Sequence, residues 1–272
     1  MVDKSEKFNW FVRVGYISRA ILYFTLGLVA LTSASKIAEG TNGVFRAIED
    51  FPAGTALLWL MVVGLLAYAA FRLCSPLFDI ENNGSDAKGW GKRLGHFGSF
   101  VGHVALAYSA FKFATDDGGS SSGSGSGGSG AQEAASGVLG FEFGGVVLGL
   151  LGVALLVAAI YQAKKGVTGE FMQRISNQAP DSIRWLGLAG YLSRAVVYTV
   201  IGWSLFKAGF LSSGSDEVKT LGDAVASLAD DGIIFTLTAI GLMLFGIYSA
   251  LQARYKIIPE LDEEAGVPAF RA

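Results

Sequence analysis

Arg19 and Arg194 lie deep inside long apolar runs, and each stands in the same company: Tyr16, Arg19, Tyr23 and Gly27 in one place, Tyr191, Arg194, Tyr198 and Gly202 in the other. Spacings of three, four and four put each set on one helix face, within an arc of roughly 80° at about 100° per residue. A planar guanidinium fork held between phenol rings suits the reception of an oxyanion such as a lipid head group, a phosphate or a carboxylate. The competing readings are that both arginines snorkel along their stems to the membrane interface, or that they pair with a carboxylate such as Asp79 or Glu170. At the equivalent positions of a third, weaker copy stand His96, Ser99, His103 and Ala107, so the chain's two histidines replace two tyrosines.

Imidazoles in such a place raise a haem or metal reading, and with the tyrosines a proton relay. Seven residues of helix separate His96 from His103 by about 10.5 Å, whereas one metal needs both nitrogens at about 2 Å. Each would therefore need a partner from another helix, and no acidic residue lies near either in sequence. No phosphate-binding glycine loop, nucleophile elbow or metalloprotease motif occurs. The expectation is a protein that is not an enzyme and holds no metal and no cofactor. Net charge is -2 and the basic residues are scattered, which argues against nucleic acid. The lone Cys74 excludes an intrachain disulfide and any multi-cysteine metal site.

The elements that position these side chains are membrane helices. Half the residues (51%) are hydrophobic, 16% are charged, and the mean hydropathy is +0.46, too apolar for a water-soluble surface. Six apolar runs, at about 14–34, 54–74, 95–114, 144–163, 186–211 and 232–251, each reach the length of about 20 residues that crosses a bilayer. Lys4, Lys7 and the small residues Thr32-Ser33-Ala34-Ser35 give the first run the look of a secretion signal. Its match to a run deep in the chain makes it a retained helix instead.

That match defines an internal repeat. Gly15 to Gly27 and Gly190 to Gly202 agree at seven of thirteen positions, and Gly95 to Lys112 aligns without gaps to Gly190 to Lys207. Each repeat reads as helix, loop with a short surface segment, helix. The expected division is 1–78, 79–171 and 172–258, followed by an acidic, disordered tail at 259–272. Val44, Phe45, Ile48 and Phe51 give the first loop an amphipathic segment lying on the membrane surface, and Trp10 and Phe11 suit an interfacial anchor. Asn82-Asn83-Gly84-Ser85-Asp86 marks a repeat boundary, and the Gly/Ser run at 118–130 a flexible tether. Glu142 reads as interfacial. Gly145, Gly149 and Gly152, with Gly64 and Gly241, are expected helix-contact positions.

Counting the adjoining helix ends with each loop, fourteen Lys and Arg fall in the termini and the even-numbered loops, against five in the odd-numbered loops, which puts both ends in the cytoplasm. Two-span repeats all share one orientation, so the expected fold is an all-α membrane protein of six transmembrane helices, three parallel two-helix repeats in a pseudo-threefold bundle. The repeated Gly-Tyr-x-Ser-Arg-Ala-x-x-Tyr-x-x-x-Gly segment is followed by a span such as Gly241 to Tyr255. Together they resemble a bacterial integral-membrane family known as domain of unknown function twelve-oh-six, over nearly the whole chain. The middle repeat departs at His96, Ser99 and His103, and the first has Leu77-Phe78 where the third has Arg254-Tyr255. The resemblance implies that topology and a bacterial inner-membrane address, and no activity. The expected role is non-enzymatic binding of membrane lipid, an anionic lipid or another membrane protein. The alternatives are a transporter or pore along the repeat axis, and a haem-binding redox subunit.

Overall fold

The computed structural model describes residues 4–32, 40–77, 87–115, 129–211 and 214–257. Residues 118–128 of the tether expected at 118–130, the boundary turn at 82–86 and the tail at 259–272 lie outside the described residues, as do Asp79 and the side chain of Phe11, whereas Ser129 and Gly130 are helical. The described residues form α1 (Lys4–Thr32), α2 (Gly40–Glu49), α3 (Gly54–Leu77), α4 (Ala87–Ala114), α5 (Ser129–Leu139), α6 (Gly144–Thr168), α7 (Ser182–Phe210), α8 (Leu221–Ala226) and α9 (Gly232–Tyr255). Apart from one antiparallel bridge between Ile175 and Lys256, no β-structure occurs among them.

Four segments are long and apolar enough to cross a membrane: Val12–Thr32, Gly54–Cys74, Gly144–Thr168 and Gly232–Tyr255. The helices α4 and α7, at 28 and 29 residues, have the length but not the apolarity, because histidine, serine and arginine interrupt them. Val157 (60%), Ile160 (72%) and Leu237 (63%) are exposed on the outer faces of α6 and α9. Apolar area of that extent belongs against lipid. The chain is a membrane-type helical protein.

The repeat is visible in the backbone. Before α3, Phe51 N–H bonds to Ile48 C=O and Gly54 N–H to Phe51 C=O; before α6, Phe141 bonds to Val138 and Gly144 to Phe141; before α9, Leu228 bonds to Val225 and Asp231 to Leu228. These shared turns set α3, α6 and α9 in one register, in which Gly64, Ala154 and Gly241 correspond, as do Tyr68, Ala158 and Phe245. The turn exists because each short helix must end and reverse into a long one. At Gly54 and Gly144 a side chain would collide with the carbonyl of the preceding helix.

The loop segments do not lie out on lipid. Val44, Phe45 and Ile48 are buried, α2 packs against α1, α3 and α8, and Phe45 meets Phe113 at 5.7 Å between ring centroids. The amphipathic face is spent on covering the bundle. The end of α7 is fastened by Lys207 to Glu217 at 2.7 Å, and that bond holds the Glu217 carboxyl below its ordinary range. A depressed carboxyl stabilises the fold at neutral pH, and the gain disappears as pH falls from about 4.3 through the lowered value. Thermal melts of Glu217→Gln should therefore fall slightly below wild type at pH 7 and coincide with it at pH 3.

Packing around the bundle runs α4, α3, α1, α9, α7, α6, each helix against the next. First and second helices of the repeats alternate along this order, with α1 beside α3 and α7 beside α9. The ring is not closed: α4 and α6, the two helices of the middle repeat, share no packed interface among the described residues. The expected pseudo-threefold bundle is thus an arc with one open seam. In the first repeat a Cβ on Gly15 would stand 2.6 Å from Tyr68 Cβ, and in the third a Cβ on Gly190 would stand 2.6 Å from Phe245 Cβ. Those glycines exist to seat a ring. In the middle repeat a Cβ on Gly95 would meet nothing within 4 Å, and the residue that would face it is Ala158.

Candidate cation and tyrosine site

Arg19 does not snorkel. It is 6% exposed and tied to two other helices: its Nε donates to Ser249 Oγ at 3.2 Å, one terminal nitrogen donates to Tyr68 Oη at 2.9 Å, and the other donates to Gln252 Oε1. The rings of Tyr16, Phe245 and Tyr68 lie 4.6, 5.1 and 5.3 Å from its guanidinium carbon. Gln252 is oriented in turn by donating to Tyr248 Oη at 2.9 Å. Each of the three guanidinium nitrogens on α1 thereby donates to a neutral acceptor on α3 or α9, which keeps the charge hydrogen-bonded without any carboxylate. Arg72 adds its own bonds to Tyr68 Oη at 2.6 and 3.0 Å.

Arg194 stands at the same place in the third repeat, and its surroundings differ in two decisive positions. Its neighbour from its own repeat is Phe245 where Arg19 has Tyr68, so the phenol oxygen is gone while the ring remains, 4.7 Å away. The register position of Gln252 is occupied by Lys165 on α6, so a cation stands where Arg19 has an acceptor. Lys165 Nζ sits 5.5 Å from the ring centre of Tyr191. What Arg194 keeps is Gln162, the counterpart of Ser249, whose oxygen, with the amide turned to accept, lies 3.2 and 3.3 Å from the guanidinium, together with Tyr198 Oη on its own helix. The Nε is buried and has no hydrogen-bond partner. Neither Arg19 nor Arg194 forms an ion pair with a carboxylate among the described residues, Glu170 included.

The rings form one body with the charges. Phe245 lies beside both guanidiniums, and Tyr23, Tyr191 and Tyr248 pack on it with centroids 4.9, 5.7 and 5.8 Å away. Tyr16, Tyr23 and Tyr191 are buried and Tyr198 is half-buried, so the sequence-predicted residues of the first and third repeats meet around one centre. The same rings fill the space between α1, α7 and α9 with side chains.

The middle repeat joins only in part. His103 is half-buried, its ring 4.6 Å from that of Tyr68. Its Nδ1 lies 2.6 Å from the Ser99 carbonyl, which can only accept, so Nδ1 carries the proton. Ser99 and His96 are half-buried on the same helix. Among the described residues no three His, Cys, Asp or Glu gather as a metal site.

Sequence reasoning missed Tyr68, Arg72, Gln162, Lys165, Phe245, Ser249 and Gln252. One signal was available: Tyr68 to Arg72 and Tyr248 to Gln252 are each spaced by four, on the same helix faces.

The model of the family described as Domain of Unknown Function (DUF1206) matches residues 14–77, 94–169 and 189–256. The chain belongs to this family. A DUF1206 unit therefore contributes one first helix with its Tyr/Arg or His face and one second helix with the acceptors. The chain is also similar to "Uncharacterized protein YxxB" of Bacillus subtilis (strain 168), 29% identical over 268 residues, covering 93% of this chain and 94% of that one. No solved structure matches the chain.

Proposed function

We propose that this is a non-enzymatic, six-span protein of the bacterial cytoplasmic membrane, with both termini inside, whose Arg194 and Lys165 corner holds the phosphate of an anionic lipid from the inner leaflet. The observation that carries this is the difference between the two arginines. Arg19 has a neutral acceptor for each of its three nitrogens, whereas Arg194 has lost two acceptors, one of them to Lys165 at the register position of Gln252, and keeps a buried donor with no partner. An unfilled charged donor in a low-dielectric place is costly, and a bound oxyanion fills it with charge-assisted bonds. The positive-inside count supports inner-leaflet placement, and α4 and α7, though less apolar, have the length to span.

The test is thermal stabilisation of the detergent-purified chain by phosphatidylglycerol, by zwitterionic phosphatidylcholine and by inorganic phosphate. Phosphatidylglycerol is expected to raise the melting temperature of wild type and not that of the Arg194→Gln, Lys165→Gln double variant. Stabilisation by inorganic phosphate alone would assign the site to a free anion, against the lipid reading. An equal shift in the double variant would remove the site altogether.

A further inference from the structure

We propose that α4 and α6 are a lateral door: their facing surfaces close on each other to complete the ring and part to connect the bilayer with the arginine cluster. The inference goes beyond the lipid reading and does not depend on it. It rests on what the other two repeats do with the same positions. Ser18 of α1 packs on Gly64 of α3, and Ser193 of α7 packs on Gly241 of α9, each pair so close that a Cβ on the glycine would overlap the serine. The counterparts in the middle repeat are Gly98 on α4 and Ala154 on α6. A Cβ on Gly98 meets nothing within 4 Å, and the same is true of Gly91, Gly95 and Gly102 along that face.

These residues are small enough for close helix approach and they face no partner, while the two established interfaces say which helix belongs there. The closure is weaker than its two counterparts for a stated reason. Tyr68 and Phe245 are the rings that fill the glycine seats of the first and third repeats, and Ala158 stands in their place on α6. Without a ring to lock it, the contact can be made and broken. The cations and histidine of the cluster border the seam: Gln162 reaches Arg194 from α6, and His103 reaches Tyr68 from α4.

The experiment is disulfide trapping in native membranes. Cys74 is the chain's one cysteine, so Cys74→Ala gives a cysteine-free background for Gly98→Cys with Ala154→Cys, and separately for Gly95→Cys with Ala158→Cys. The glycine positions have open space, so the substitutions are accommodated. A disulfide needs Cα atoms within about 7 Å, which only the closed state supplies. Mild oxidation should trap most molecules of both pairs as intramolecular disulfides, while Phe100→Cys with Ala154→Cys, on the far side of α4 at about 100° per residue, should stay open. Crosslinks between chains instead of within them would make a second copy the partner of α4 and overturn the proposal. Absence of any crosslink in both pairs, with spin labels at the same positions reporting one long distance, would mean that lipid fills the seam permanently, and would overturn it equally.

Discussion

Replacing Arg19 by Leu is expected to lower stability by about 3 kcal/mol, because Ser249 and Gln252 lose the donor they face while still buried, and each unsatisfied polar group costs about 1–3 kcal/mol. Tyr68 suffers less, since Arg72 also donates to it. Arg19→Lys should rescue little: an ammonium on a flexible stem cannot reach three acceptors in the fork geometry that Ser249, Tyr68 and Gln252 require. The same substitution at the sister site, Arg194→Leu, should leave stability unchanged or raise it, because there the buried charge is under-satisfied. Thermal melts of the three variants in one detergent check the contrast. Equal losses at both positions would mean that the two arginines do the same structural work.

Gly209→Val is expected to be the most damaging single change in the bundle. A Cβ there would stand 2.7 Å from Gly149 Cα, with the backbone nitrogen of Gly149 and the carbonyl of Gly145 closer still, so the obstacle is main chain that cannot rotate away. Relief requires α6 and α7 to separate along their length, where Gly152 and Gly202 are also in mutual contact. Overpacking of well-seated cores costs about 1–3 kcal/mol and occasionally more, and rigid main chain on both sides puts this case at or above about 3 kcal/mol. Gly91→Ala in α4 provides the control, with nothing within 4 Å of the new methyl group and a helix propensity gain of about 1 kcal/mol. Yield of folded protein by size-exclusion profile and melting temperature should separate the two plainly.

The faces of the first helices were legible in the sequence because the same residue types recur at the same spacing in two repeats. Tyr16, Arg19, Tyr23, Tyr191, Arg194 and Tyr198 do meet around one centre. The acceptors were not legible, and the reason is physical. The position that supplies Ser249 to Arg19 carries Gln162 in the second repeat and Arg72 in the first, three residue types with one register and different chemistry, so comparing the repeats does not single it out. Only the shared turn ahead of α3, α6 and α9 aligns them. The alternation of first and second helices follows from two-span units. The open seam does not, because it depends on what a glycine lacks at 95 and 98 and on Ala158 standing where Tyr68 and Phe245 place a ring. The surface segment at α2 was recognised by its apolar periodicity, which marks a face for burial without saying whether lipid or protein covers it. Here Phe113 and the neighbouring helices do.

The most direct measurement is native mass spectrometry of the chain released gently from its own membrane, wild type beside the Arg194→Gln, Lys165→Gln double variant. An acidic phospholipid bound to wild type and absent from a variant that is equally well folded is the predicted result. Wild type that flies without lipid, or a variant that retains the same adduct in the same proportion, would contradict an anion site at Arg194.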